Sequence, residues 1–250
     1  MSRQPEGPPP PPVVQRLRVR YAKRGRLRFT SHRDFARAFE RAVQRSGVPI
    51  AFSAGFSPHP KVSYAGAAPT GVASEAEYLE IGLAEPRSPE EVRRALDTAL
   101  PPGLDVVEVV EAPPGTTALA DRIEASHWRI VFPGVSPDDA DSALRAFLAC
   151  ESVVVDRPTK DGVKPVDARA AVVSAAVSSG DTPDPDVACA TLELVVRHAT
   201  PAVRPDDVVT ALRRAAGLST PVIPVVTRLA QGLLDAELPL DNGALKDPLS

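Results

Sequence analysis

Apolar and polar residues alternate or repeat in ways that predict strands and helices. Over residues 15 to 21 every second residue is apolar and the residues between are mostly arginines, which predicts a strand with one buried and one basic face. Apolar positions then repeat at helical spacing between Ser31, a predicted N-cap, and Gly47, a predicted helix end. Between these two elements, Leu27 and Phe29 are expected to point inward.

Further elements follow in an order that occurs twice. The first half continues with strands at residues 50 to 53, 62 to 64 and 77 to 83, a helix that opens at Ser88, and a strand at residues 104 to 110. The second half has a strand at residues 127 to 132, a helix that opens at Ser136, strands at residues 153 to 156, 168 to 177 and 188 to 197, a helix that opens at Arg204, and a strand at residues 222 to 229. The repeated order predicts an α+β fold of duplicated split-βαβ, or ferredoxin-like, halves with antiparallel sheets.

Three of these helices begin in the same way. Those that open at Ser88, Ser136 and Arg204 place proline at the first helical position and carboxylates in the first turn, where the helix dipole favours them. The shared start supports a duplication. We therefore predict a disordered proline-rich leader at residues 1 to 14, a first half at residues 15 to 112, a linker at residues 113 to 124, a second half at residues 125 to 232, and a tail at residues 233 to 250.

Charge is unevenly distributed along the chain. Residues 15 to 61 contain twelve basic and two acidic residues, a local balance of +10, whereas the whole chain has a formal net charge of −3. Charge segregated to this degree favours a polyanionic partner. Within the segment Arg33, Arg37, Arg41 and Arg45 recur at every fourth position of the predicted helix, so they follow one line on its surface. An ordinary solvated helix face is the alternative interpretation of this line.

We predict that the basic segment folds into one nucleic-acid-binding face. Its predicted contact residues are Arg16, Arg18, Arg20, Lys23, Arg26, Arg28, Arg33, Arg37, Arg41, Arg45, His59 and Lys61. Arginines give bidentate contacts to phosphate, and Tyr21, Phe56 or Tyr64 can stack on a base. Because aromatic residues make up only 4% of the chain, recognition of the shape and backbone of structured RNA, such as tRNA or rRNA, is favoured over long single-strand readout.

Four residues in this region are weak catalytic candidates: His32, His59, Lys61 and Tyr64. Their side chains have the chemistry for general acid and base work on RNA. The competing interpretations are phosphate binding without cleavage and a structural role in a helix cap or loop. The sequence contains no recognisable catalytic motif or cofactor fingerprint, and two histidines without a third fixed ligand do not make a metal site. We therefore predict no catalytic residue, no cofactor and no metal, and lean against an enzyme.

The cysteines and the apolar stretches bear on the compartment. Cys150 and Cys189 each lie in an apolar run, which predicts buried free thiols in a reducing compartment. No stretch approaches the roughly 18 apolar residues of a membrane span, and the first residues lack the apolar core of a signal peptide. We expect a cytoplasmic protein without membrane contact.

Residues in the first third of the chain resemble a known family. They are Tyr21, Lys23, Gly25, Leu27, Arg28, Phe29, Ser31, His32 and Asp34, followed by Ser53, Gly55, Phe56, Pro58, His59, Pro60 and Lys61. The pattern is similar to that of bacterial radical-SAM-linked proteins, a domain of unknown function found alone or fused behind cobalamin-binding radical SAM enzymes, and the similarity covers residues 17 to 84. It implies association with radical SAM systems and with ribosome or RNA-processing genes, but no established activity. This chain lacks the C-x3-C-x2-C motif, so it cannot itself hold the iron-sulfur cluster.

Three functions are compatible with these observations. The first, which we favour, is binding of structured RNA through the basic face without catalysis. The second is an adaptor whose basic face docks an acidic protein such as a radical SAM enzyme. The third is an RNA-processing enzyme, a nuclease or a tRNA or rRNA modification enzyme, that uses His32 and His59.

Overall fold

The computed structural model describes residues 10–160, 162–182, 187–235 and 245–250 and has a mixed α+β architecture. The chain forms two compact units that divide between Arg122 and Ile123, within the predicted linker. Most of the predicted leader, residues 1–9, and half of the predicted tail, residues 236–244, lie outside the described residues.

The first unit contains four strands and two α-helices among its described residues. Their bounds are β1 Gln15–Lys23, α1 His32–Ser46, β2 Val62–Ala65, β3 Ala73–Leu83, α2 Pro89–Ala99 and β4 Leu104–Glu111. Within this unit the strands lie in the order β4-β1-β3-β2, and each neighbouring pair is antiparallel. The predicted alternation of strands and helices is confirmed here, and β1 is a central strand of the unit.

The core of this unit lies between one face of the sheet and the two helices. Leu17 and Val19 of β1 are completely buried and pack in one cluster with Phe35 and Phe39 of α1. Side chains alternate across a strand, so residues 16, 18 and 20 point to the opposite face of the sheet from α1. The alternation in the sequence therefore determines which face of β1 meets the helices.

Helix α1 begins and ends where the sequence predicts. The Ser31 hydroxyl accepts a hydrogen bond from the Asp34 backbone N–H at 3.2 Å, which satisfies one of the unpaired donors of the first turn. At the other end Gly47 adopts φ 67°, the left-handed conformation that glycine adopts without steric strain.

The second unit contains seven strands and three helices among its described residues. Their bounds are β5 Ala125–Pro133, α3 Pro137–Leu148, β6 Val154–Thr159, β7 Gly162–Asp167, α4 Ala168–Ala171, β8 Val172–Ser179, β9 Cys189–Arg197, α5 Pro205–Ala216, β10 Val225–Leu234 and β11 Leu245–Lys246. Four strands form an antiparallel sheet in the order β10-β5-β9-β8, with β11 beside β10, and β6 pairs with β7 in a separate hairpin.

Four sequence predictions about local structure are wrong. Residues 25 to 29 form a 3-10 helix that leaves Phe29 58% exposed, and residues 50 to 53 make only isolated bridges at Ile50 and Phe52. The first four residues of the strand predicted at 168 to 177 form α4 instead, because the Asp167 carboxylate caps this turn by accepting from two backbone N–H groups. In the predicted tail, residues 245 and 246 form β11.

The remaining predictions concern the two cysteines and membrane-spanning helices. Cys150 and Cys189 are both free thiols; Cys189 is buried as predicted, whereas Cys150 is partly exposed. Across the described ranges, every helix is too short or too polar to cross a membrane.

Candidate nucleic-acid interface

The arginines of β1 face acidic residues on the neighbouring strands. Glu80 of β3 is the cross-strand partner of Arg18, and Glu108 of β4 is the partner of Arg20. The Arg16 guanidinium lies 3.0 Å from the Glu80 carboxylate, and that of Arg20 lies 3.1 Å from the carboxylate of Glu108. The positive charge predicted for this face of the sheet is therefore largely neutralised inside the unit.

Two of the predicted contact residues are buried. The Arg18 side chain is 2% exposed and donates to the Thr117 carbonyl at 2.6 Å, to the Thr116 hydroxyl at 3.1 Å and to Glu80 at 3.4 Å. Lys23 is 4% exposed, and its ammonium group lies near the carbonyls of the loop that precedes β3. Contrary to the sequence prediction, neither side chain is placed to reach a phosphate.

Arg24, next to Lys23, is also paired. Its guanidinium bonds to the carboxylate of Glu75 and lies 2.9 Å from that of Asp105, and hydrogen bonding to Glu75 raises the arginine pKa. These contacts join the ends of β1, β3 and β4.

The arginines of α1 have different surroundings. Arg33, Arg37 and Arg41 are exposed, and among the described residues none of the three forms an ion pair. Arg45, also exposed, donates to the Ala99 carbonyl at the end of α2. The apolar stripe of α1 faces the sheet, so this arginine line faces solvent on the opposite side of the helix.

The predicted basic face is consequently divided between two sides of the first unit. The β1 arginines lie on the face of the sheet that is turned away from α1, whereas the α1 arginines lie on the outer surface of that helix. The expectation that all of these side chains converge on one patch is therefore wrong. Among the described residues, the outer surface of α1 is where three successive arginines of the segment are exposed without an ion pair.

The 3-10 helix before α1 adds two arginines and an aromatic ring. Arg26 is exposed, Arg28 is partly exposed, and neither forms an ion pair within the described chain. The Arg28 guanidinium lies 4.8 Å from the centroid of the Phe29 ring, a cation–π contact. Sequence reasoning missed Phe29 because the alternation of Arg26, Leu27, Arg28 and Phe29 fits the period of a half-buried strand.

Only two of the four catalytic candidates come together. The rings of His32 and Tyr64 meet edge to face with centroids 4.8 Å apart. Burial, with a smaller contribution from the Glu40 carboxylate, raises the pKa of Tyr64 to about 12. This phenol therefore stays protonated near neutral pH, where it can donate a proton in a hydrogen bond but is a poor base.

His59 and Lys61 belong to a different part of the unit. The loop at residues 53 to 59 is closed by a hydrogen bond from the Ser53 N–H to the His59 carbonyl at 2.8 Å and by one from the His59 N–H to the Ser53 hydroxyl at 3.0 Å. The backbone of Lys61 bonds to Ala51 and Gly82 near the end of β3. Within the described residues, hydrogen bonds, ion pairs and ring contacts do not link either side chain to His32.

The aromatic residues also differ from expectation. Tyr21 is buried and stacks on Phe35 with centroids 4.1 Å apart, so it is not available to a base. Tyr64 is partly buried against the same core. Phe56 is 71% exposed at the tip of its loop, and Phe29 is the other strongly exposed ring. In the described parts of the chain, no group of three or more potential ligands is arranged to hold a metal ion.

Comparison with known proteins gives a family but no function. No curated protein matches the chain. Among solved structures, it is similar to an unknown protein from Galdieria sulphuraria, at 12% identity, with 86% of this chain and 98% of that chain covered and a TM-score of 0.25. It is also similar to ferric DtpA from Streptomyces lividans, at 14% identity, 92% and 90% coverage and a TM-score of 0.23. Scores this low support no argument about fold or activity.

The family match is more extensive. Residues 16–205 match the family described as uncharacterized protein conserved in bacteria (DUF2344), so the match includes β1, the whole of α1 and most of the second unit. The chain therefore belongs to this uncharacterized bacterial family.

Proposed function

We propose that this protein binds structured RNA through the outer surface of α1 without catalysing a reaction on it. The observation that carries the proposal is the line of exposed arginines at positions 33, 37 and 41, none of which forms an ion pair in the part of the chain that the structure describes. A solvated helix face that served only solubility would normally alternate its charge sign. Glu80 and Glu108 pair with the β1 arginines, and Glu40, the acidic residue beside Arg41, forms no ion pair within the described residues.

The spacing of this line suits a phosphate backbone. Arg33 and Arg41 are eight residues apart on one helix, which separates their Cα atoms by about 12 Å along the axis. Flexible guanidinium groups at such intervals can contact successive phosphates, each in a bidentate and charge-assisted manner. A rigid helix with a charged line favours shape and backbone recognition.

A salt titration of RNA binding tests the proposal. In Arg37→Glu/Arg41→Glu we expect the affinity for a folded RNA such as tRNA to fall at least about tenfold and the slope of log K against log salt to become less negative by about 1.5, because two phosphate contacts are lost. The matched control is Arg93→Glu/Arg94→Glu on α2, which makes the same charge change where both arginines are paired with Glu90.

The control should bind within about twofold of the unaltered protein at each salt concentration. Fluorescence anisotropy with labelled RNA measures both variants. If the unaltered protein does not bind at low salt, or if both double variants lose the same affinity, RNA binding through α1 is refuted.

The alternative is that the same arginines bind an acidic protein, since carboxylates also bind guanidinium groups bidentately. The resemblance to radical-SAM-linked proteins makes a radical SAM enzyme the partner to test. Affinity purification of the native chain from a bacterial extract, with and without nuclease treatment, separates the two functions. A protein that remains bound after nuclease treatment while RNA binding is absent would favour the adaptor function.

We also propose that the two units are duplicated ferredoxin-like halves. Numbered within its own sheet, each unit has the strand order 4-1-3-2: β4-β1-β3-β2 in the first and β10-β5-β9-β8 in the second. The β6-β7 hairpin and α4 are then an insertion after α3 in the second unit. This correspondence supports the duplication.

A further inference from the structure

We propose that Phe29 is a stacking platform for an unpaired base of the bound RNA, with Arg26 and Arg33 on the adjoining phosphates. The proposal rests on the RNA-binding function and specifies which kind of RNA binds. It predicts a preference for RNA whose loops or ends present unstacked bases next to a helical stem.

The Phe29 ring is exposed and held in place. The residue is 58% exposed, although a phenylalanine side chain normally gains free energy when it is removed from water. The Arg28 guanidinium covers part of the ring at 4.8 Å from its centroid. A Cβ atom added to Gly71 would lie 3.8 Å from Cε1 of Phe29, so one edge of the ring faces this glycine.

The backbone that carries the ring is also fixed. The Arg28 carbonyl accepts from the Gly71 N–H at 2.8 Å, and the Leu27 carbonyl accepts from the Thr30 N–H at 2.9 Å. A ring fixed in this way loses little conformational entropy when a base stacks on it. The geometry is therefore that of a preorganised binding surface.

The charge around the ring matches a nucleotide. Arg26 and Arg28 precede Phe29 in the 3-10 helix, and Arg33 follows it in the first turn of α1, at most about 14 Å away along the chain. None of the three arginines forms an ion pair within the described residues. An aromatic face with unpaired arginines on both sides is the combination by which proteins bind single-stranded nucleic acid.

A second strongly exposed ring, that of Phe56, lacks these neighbours. Phe56 lies in the loop at residues 53 to 59, where all residues but Ser53 are exposed and the sequence contains no arginine. Phe56 is therefore a control of the same residue type in the same unit.

The experiment compares two labelled RNAs with equal numbers of phosphates: a hairpin with an unpaired loop and a fully paired duplex. In Phe29→Ala the affinity for the hairpin is expected to fall about tenfold, whereas the affinity for the duplex stays within about twofold, because only the hairpin offers a base to stack. Phe29→Trp should keep hairpin binding. Phe29→Leu, which retains an apolar side chain against Gly71 but no flat ring, should behave like Phe29→Ala.

The outcomes separate this proposal from the one on which it rests. If the unaltered protein binds neither RNA, the RNA-binding function itself fails. If it binds both and Phe29→Ala weakens both equally, or neither, RNA binding stands and the stacking platform is refuted. A loss of hairpin affinity in Phe56→Ala but not in Phe29→Ala would also refute it, and far-UV circular dichroism checks that each variant is folded.

Discussion

The arginines of β1 and those of α1 come from one basic segment but differ in the partners that the fold gives them. On β1, Arg18 is buried and bonded, and Arg16 and Arg20 are paired with glutamates on adjacent strands. On α1, Arg37 and Arg41 are exposed without ion-pair partners in the described chain. A central strand has neighbours on both sides that can supply counterions, whereas the outer face of a helix has only solvent. Basic residues in a sequence thus indicate a ligand surface only where the fold leaves them unpaired.

The largest expected effect is on stability, at Arg18. Arg18→Met should lower the free energy of unfolding by about 3 kcal/mol, because it removes the donor to the Thr117 carbonyl and leaves a partly buried Glu80 with one ion-pair partner fewer. Urea denaturation followed by far-UV circular dichroism measures this. Arg16→Met is the control: its side chain is 63% exposed, so the loss should not exceed about 1 kcal/mol. Equal losses of stability in the two variants would contradict the view that Arg18 has a structural role that Arg16 lacks.

A smaller effect is expected at the start of α1, the helix that carries the arginine line. Ser31→Ala should cost about 1 kcal/mol of stability, because the hydroxyl that accepts from the Asp34 N–H is removed. Ser88 precedes α2 at the equivalent position but makes no side-chain cap bond, so Ser88→Ala should change stability by a few tenths of a kcal/mol at most. The same denaturation experiment checks both, and a larger loss at Ser88 would show that the cap assignment is wrong.

The smallest effect on stability is expected on the arginine line itself. Arg37→Gln/Arg41→Gln should change the free energy of unfolding by less than about 0.5 kcal/mol, since neither arginine forms an ion pair with a described residue. The same variant should lose RNA affinity, whereas the effect expected for Arg18→Met is a loss of stability. If it unfolds at markedly lower urea concentration, the α1 arginines have a structural role like those of β1.

Most local elements follow from the sequence because they depend on neighbouring residues. Alternation around Leu17 identifies β1, and the Ser31 cap and Gly47 bound α1, since strand period, capping and glycine conformation are local effects. The failures were local signals that a competing contact overrode. The Asp167 carboxylate caps a helical turn where the sequence predicts the start of a strand. Phe29 is exposed because a 3-10 helix that begins at Gly25, where φ is 53°, replaces the extended backbone that alternation predicts.

By itself the sequence determined the basic segment, its strand and helix, and which face of β1 is buried. Only the tertiary structure decided which arginines keep a charge that a ligand can reach. The partners of the β1 arginines, Glu80 and Glu108, lie more than sixty residues away along the chain and meet them through strand pairing. Both glutamates lie in strands that the sequence predicted, but strand order and register are long-range properties. The arginines of α1 are left as the exposed cationic surface because a helix buries one side against the sheet and exposes the other to water.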